Sequence, residues 1–262
     1  MMILEADRLS ITFGGVRAVD GVSIAVESGE VLSIIGPNGS GKTTLFNLIS
    51  GIYVPRNGSI RFANETVTGL APDKLARRGL SRTFQNLQIF SRMSVLENAM
   101  VGRHRHERTG ILAELMHLPS VARQNEATRE AAHAALARVG LADDAARPAG
   151  SLSYGALKRL EIARALASEP KLLLLDEPAA GCNPVETQDV DRVIRSVVKD
   201  GIAIVLVEHD MRLVMNISDR VHVLARGRTL AEGTPDQVRS DPAVIEAYLG
   251  DHGSKEAVRA FG

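Results

Sequence analysis

Eight consecutive residues, Gly36-Pro37-Asn38-Gly39-Ser40-Gly41-Lys42-Thr43, have the types and spacing of a loop that wraps phosphate groups. Glycines let backbone N–H groups turn inward around an anion, and a helix beginning near Lys42 would aim its positive end at the same point. Lys42 would reach the β and γ phosphates of a nucleoside triphosphate. The Thr43 hydroxyl would ligate Mg²⁺, and Thr44 continues the cradle. The apolar run before the loop, Val31–Ile35, supplies the strand that such a loop needs.

A second segment fits the other half of that chemistry. Four leucines at 172–175 run into Asp176-Glu177-Pro178. An acid at the end of a buried strand can hold Mg²⁺ through a water. Glu177 is then the candidate for orienting and polarising an attacking water. Taken alone, the segment also reads as a strand ending in a solvated acidic turn. His209 follows the apolar run 202–207 and is a candidate to bond the γ-phosphate or to hold the water with Glu177. Gln85, in Arg82-Thr83-Phe84-Gln85-Asn86, has an amide suited to sensing the γ-phosphate or Mg²⁺, at the point where the strand pattern gives way to helix.

The elements that must position these groups are legible in outline. Residues 3–12 and 22–26 alternate apolar and polar positions, as half-buried strands do, whereas Val31–Ile35 reads as a buried central strand. A helix is expected over 43–50 and a short strand over 59–62, after the Asn57-Gly58 turn signal. From about 86 to 150 strand-like runs vanish and alanine-rich helix, such as 126–139, takes over. This predicts a helical subdomain (about 87–150) inserted into an α/β core (1–86 and 151–250), all one domain over 1–250. Helix is expected again over 159–166, 185–198 and Met211–Ile217, and strand over Leu172–Asp176 and 202–207. A hairpin over 220–224 and 229–232 and two short helices, each beginning at proline (235 and 242), close the domain. Strands alternating with helices predict a largely parallel sheet covered on both faces. Residues 103–125 read either as a solvated loop with a packed helix or as a contact surface for another subunit. Residues 251–262 read as a polar, mobile tail.

Composition narrows the function. The chain has 31 basic and 31 acidic residues in 262, so no global field draws nucleic acid. Six Phe, three Tyr and no Trp argue against a base-stacking platform. The single cysteine, Cys182, rules out an internal disulfide and suits a reducing compartment. It is expected to be a small buried hydrophobe. His104, His106 and His117 show no metal-ligand pattern. The first residues lack signal-peptide character, and the longest apolar runs fall far short of the roughly 20 residues that span a bilayer. The chain is expected to be soluble, reaching a membrane only through partners.

The order phosphate loop, Gln85, Leu152-Ser153-Tyr154-Gly155, Asp176-Glu177, His209 resembles the nucleotide-binding subunit of ABC transporters over nearly the whole chain. That resemblance implies an ATPase requiring ATP and Mg²⁺ and a P-loop core with an antiparallel β subdomain and a helical subdomain. It also implies a working pair of subunits. Ser153 and Gly155 would open a helix facing the γ-phosphate held by the other subunit, one as hydroxyl donor and cap, the other for close backbone approach. Tyr154 stands where the commonest form has glycine, and Ala156 where it has glutamine. Phe13 would stack on adenine, or else is an ordinary strand residue. Asn183 stands in a loop that normally ends in aspartate and crosses the dimer interface. Phe13-Gly14-Gly15, Glu208-His209-Asp210-Met211 and Ala247-Tyr248-Leu249-Gly250 are similar to the longer ATPase of branched-chain amino-acid importers.

Such importers imply further partners: transmembrane permease subunits docked near Gln85 and the helical insert, a second related ATPase, and indirectly a periplasmic solute-binding protein. The location implied is the cytoplasmic face of the inner membrane. Urea or amide import and lipopolysaccharide export are the alternatives within the family. A soluble ABC ATPase acting on DNA or ribosomes is the alternative outside transport. The single cassette, the lack of a heptad run and the balanced charge argue against that last reading.

Overall fold

A computed structural model of the chain describes residues 1–83, 87–106, 116 and 119–251. Gln85, residues 107–115 and 117–118 of the 103–125 insert, and the tail beyond 251 lie outside them. The first layer is an antiparallel sheet of β1 (Met2–Phe13), β2 (Val16–Glu27), β4 (Asn57–Phe62) and β5 (Glu65–Thr66), in the order β2-β1-β4-β5. The second is a sheet of six: β10 (Arg228–Gly233), β9 (Arg220–Ala225), β3 (Val31–Ile35), β8 (Ala203–Val207), β7 (Leu172–Asp176) and β6 (Leu80–Arg82), in that spatial order. All its pairings are parallel except the β9–β10 hairpin.

The continuous apolar runs are explained by burial on both faces. In β7, Leu172 and Leu174 enter the core shared with the antiparallel sheet, while Leu173 and Leu175 enter the core on the other side. β8 divides likewise, with Ala203, Val205 and Val207 on one side and Ile204 and Leu206 on the other. Side chains alternate along a strand, so a central strand covered twice needs an apolar residue at every position.

Helix α1 (Lys42–Ile49) packs between the two sheets, burying Leu45, Phe46, Leu48 and Ile49. The far face of the large sheet carries α3 (Val95–Val101), α4 (Pro119–Arg138), α5 (Tyr154–Ala167) and α6 (Pro184–Lys199), which share one apolar cluster. Helices α7 (Met211–Ile217), α8 (Pro235–Ser240) and α9 (Pro242–Asp251) flank the hairpin edge.

Four elements have no counterpart in the sequence reading: β5, α2 (Pro72–Arg78), β6 and α3. The first three are too short to show a period. For α3 a signal existed, because Ser94 and Glu97 form a reciprocal capping box. Strand β2 also begins at Val16, well before residue 22, because its first half pairs with the end of β1. No helix among the described residues is long and apolar enough to cross a membrane.

Candidate functional site

Strand order assembles the site. Because β8 lies between β3 and β7, the C-terminal ends of all three open side by side: Ile34 pairs with Val207, and Val207 with Asp176. The chain leaves β3 into the glycine loop, β7 into Glu177 and β8 into Glu208-His209. Ligands of open parallel sheets bind at such strand ends.

The loop is compact, and two glycines are sterically required. A Cβ on Gly36 would lie 2.1 Å from the Leu224 carbonyl oxygen. Gly41 caps α1 at φ 105°, where a Cβ would meet the Ala18 carbonyl oxygen at 2.4 Å. Lys42 is buried, and its Nζ donates to the carbonyls of Gly36 at 2.6 Å and Pro37 at 3.1 Å. Its ammonium therefore sits inside the loop, held by oxygens that a phosphate would replace.

A cavity of about 580 Å³ gathers Asn38, Gly39, Ser40, Gly41, Lys42, Thr43 and Thr44 with Glu177 and His209. Its other wall is Val16, Arg17, Ala18 and Arg226. Pro37 lines the adjoining cavity by the β9–β10 hairpin, and Gly36 touches the site through the carbonyl that accepts from Lys42. Phe13 does not line this cavity. It is 44% exposed, with its ring edge-on to Tyr53 at 5.2 Å.

Glu177 and His209 meet directly. Nε2 of His209 lies 2.9 Å from Oε1 of Glu177, across 32 residues of chain. Glu177 adopts φ 50°, a left-handed conformation uncommon outside glycine, and its N–H donates to the Val207 carbonyl at 2.8 Å. The backbone is bent there so that the carboxylate turns into the cavity. Lys158, itself buried, donates to the Glu177 carbonyl at 3.3 Å.

Asp176 is buried, and burial pushes its carboxyl up despite the opposing Arg82 guanidinium 2.9 Å away. Arg82 also donates to Asn47 Oδ1 at 2.6 Å and Ser50 Oγ at 2.8 Å, and lies over the Phe46 ring. Replacing Arg82 by Met would strand a buried carboxylate. The expected cost is roughly 3 kcal/mol of unfolding free energy, the lower end for a broken buried pair, because Asp176 can take up a proton. Urea unfolding checks this; an unchanged midpoint would mean the pair adds no stability.

Ser153, Gly155 and Asn183 lie away from the cavity, on a shared surface. Ser153 caps α5, accepting from the Ala156 N–H at 3.3 Å, and Asn183 caps α6. Between them sits Glu186. Its Oε1 accepts from the Ser153 hydroxyl at 3.2 Å and the Gly155 N–H at 3.0 Å, and its Oε2 from the Asn183 N–H at 3.1 Å. The Asn183 bond, then that of Gly155, holds this carboxyl below its usual range. Gly155 has no room for a Cβ, which would fall 2.6 Å from the Cβ of Glu186. Tyr154 packs over Gly181. Cys182 is partly exposed rather than buried, since the loop carrying it runs over the surface. Partial burial still pushes its thiol up.

Arg82, Glu186, Lys158 and Glu208 escaped the sequence reading as site residues. Only the Asn183…Glu186 capping-box spacing was a usable signal. The rest are defined by contacts across the fold.

Fold and loop together define a P-loop nucleotide-binding protein with mixed sheets and packed helices. The ABC transporter family profile matches residues 19–180, and that of the branched-chain amino acid ATP-binding cassette transporters matches 228–254. The chain is 48% identical over 251 residues to the high-affinity branched-chain amino acid transport ATP-binding protein BraF of Pseudomonas aeruginosa, covering 95% of this chain and 98% of that one. The solved ADP conformation of the ATP-binding cassette MJ1267 superposes with a TM-score of 0.84 at 37% identity, over 96% of this chain and all of that one. A dimeric structure of the bacterial ABC transporter cassette MJ0796 gives 0.73 at 25% identity, over 89% and 99%. The chain belongs to the ABC transporter family and is one of its nucleotide-binding ATPases.

Proposed function

We propose that this chain hydrolyses ATP to drive a membrane importer of branched-chain amino acids or similar small solutes. The observation that carries the ATPase reading is the Glu177–His209 contact at 2.9 Å in the cavity that also holds Lys42 and Thr43. Lys42 exchanges the Gly36 and Pro37 carbonyls for the β and γ phosphates. Glu177 accepts the proton of the attacking water, while His209 holds the Glu177 carboxylate in place and donates toward the γ-phosphate.

Mg²⁺ fits the donors present. Thr43, which lines the cavity, and Asp176, which does not line it and whose Oδ2 pairs with Arg82, would supply oxygen, and no cluster of three or more potential ligands among the described residues would hold an ion without the nucleotide. Bound with the nucleotide, Mg²⁺ would neutralise phosphate charge. Gln85, outside the described residues, is proposed as its further ligand and sensor, and Phe13 as the adenine contact after a local shift. Asn183 is proposed to meet the partner subunit across the interface.

The proposed working form is a pair, the partner being a second copy or a related ATPase. Ser153 and Gly155 lie off their own chain's cavity, and their donors already carry an anion, Glu186. In the closed pair they face the partner's γ-phosphate, and the Glu186 carboxylate must first withdraw. Glu186→Ala, in a Glu177→Gln background, is therefore expected to lower the ATP concentration that half-forms the dimer, by about tenfold, equivalent to one lost charge-assisted bond of about 1.4 kcal/mol. Size-exclusion chromatography across an ATP titration reads this. A rise in that concentration would mean Glu186 helps closure instead.

Residues 1–250 form one domain in this reading, with 87–150 as the subdomain that contacts the permease and 251–262 as a tail. A groove of about 830 Å³ beside Arg82 supports this docking side, since Phe90 and Val101 stand exposed along it. The protein would lie at the cytoplasmic face of the inner membrane, with a periplasmic solute-binding protein delivering cargo. Pull-down from native membranes with uptake assays tests the whole reading. Two permeases, a second ATPase and loss of leucine uptake on deletion are expected. Co-purifying lipopolysaccharide-export components, or ribosomes without membrane protein, would overturn it.

A further inference from the structure

Glu208 is 4% exposed, and no ion pair reaches it among the described residues. Its carboxylate is satisfied by backbone alone. Oε1 accepts from the Ala179 N–H at 2.9 Å, and Oε2 accepts from the N–H groups of His209 at 2.8 Å and Asp210 at 3.3 Å. Ala179 lies two residues beyond Glu177, and His209 is the next residue after Glu208. One buried side chain thus ties together the two loops that leave β7 and β8, and the Glu177–His209 contact spans the same gap.

We infer that Glu208 is a positioning residue of ATP hydrolysis, clamping the Glu177 and His209 loops at the separation where their side chains meet. A buried carboxylate carries a desolvation cost that an apolar residue would avoid. Burial indeed pushes its carboxyl up, against the three N–H donors. The Glu177 N–H to Val207 carbonyl bond fixes where the loops leave the sheet, and Glu208 adds the tie farther out, between Ala179 and the N–H groups of His209 and Asp210. Past that bond at the strand ends, two loops joined only through the exposed His209 ring would be free to drift, and a drift of about 1 Å is enough to cost roughly 100-fold in rate. A carboxylate suits the task because both its oxygens accept, so one group serves donors on two loops. Glutamine, of the same shape, turns one oxygen into an N–H₂ facing an N–H donor, which opens the clamp on one side.

This inference rests on the reading of Glu177 and His209 as the water-orienting pair, and the test separates the two. Steady-state ATPase rates and ATP affinity are measured on the full-length chain for the parent, Glu177→Gln, His209→Ala, Glu208→Gln and the double variant His209→Ala with Glu208→Gln. Glu208→Gln is expected to lower kcat by about 10- to 100-fold, with ATP affinity within about twofold of the parent. The double variant should be no slower than His209→Ala alone, because a residue acting through His209 has nothing left to position.

If Glu208→Gln turns over at the parent rate while Glu177→Gln and His209→Ala are inactive, the inference fails and the site reading stands. Multiplying effects in the double variant would also overturn it, since Glu208 would then act independently. Parent rates in Glu177→Gln and His209→Ala would sink the underlying reading itself. Should Glu208→Gln not fold, Glu208→Asp carries the test. Its shorter carboxylate keeps the charge but cannot bridge both loops, so the same fall in kcat is expected, and a parent-like kcat overturns the clamp.

Discussion

Glu177→Gln is expected to remove ATP turnover by about 100- to 10,000-fold, the range supplied by a positioned general base, while leaving nucleotide binding in place. Glutamine keeps the shape of the side chain and can still bond the His209 ring, but it cannot accept the proton of the attacking water. The phosphate-loop contacts do not involve this carboxylate, so affinity should hold. With hydrolysis blocked, the proposed pair should persist in ATP as a dimer visible by size-exclusion chromatography. Hydrolysis at the parent rate would assign the base to another residue. A monomer at saturating ATP would remove the paired site.

Lys42→Ala acts on a different step, nucleotide binding. The Lys42 ammonium is buried and donates to the Gly36 and Pro37 carbonyls. Bound phosphates would take over those donors as charge-assisted hydrogen bonds, each worth about 1.5–3 kcal/mol. Because the lysine gives up two carbonyl contacts in the exchange, the loss in Lys42→Ala should match about one such bond. That is roughly a 10- to 150-fold weaker ATP Kd by titration. Unchanged affinity would mean the loop is not a phosphate site. The two variants therefore separate binding from chemistry: one lowers affinity, the other only turnover.

The proposed chemistry was legible in the sequence because each part is local. A strand, a glycine turn and a helix start are set by neighbouring residues, so residues 36–44 declared a phosphate loop without any knowledge of the rest of the fold. The same holds for Asp176 and Glu177 at the end of four leucines, and for Ser153 as a helix cap. The apolar runs also carried the fold class, since strands filled at every position must be covered on both faces. The short elements α2, β5 and β6 were missed because seven, two and three residues show no period and no cap or proline-led start was read there.

Distances between those local parts depended on the sheet order, which no short window of sequence contains. β8 between β3 and β7 is what brings Glu177 to His209, and Arg82 reaches Asp176 only because β6 pairs with β7. The seat of Glu186 on Ser153 and Gly155 joins two helix starts 31 residues apart. Glu208 is the clearest case. In sequence it is one more acid beside a histidine, and burial with three backbone donors from two loops makes it a clamp. Residue types and near spacing determined what chemistry the chain can do. Long-range packing decided which side chains share it, because a hydrogen bond needs two groups within about 3 Å and only the folded chain closes that distance.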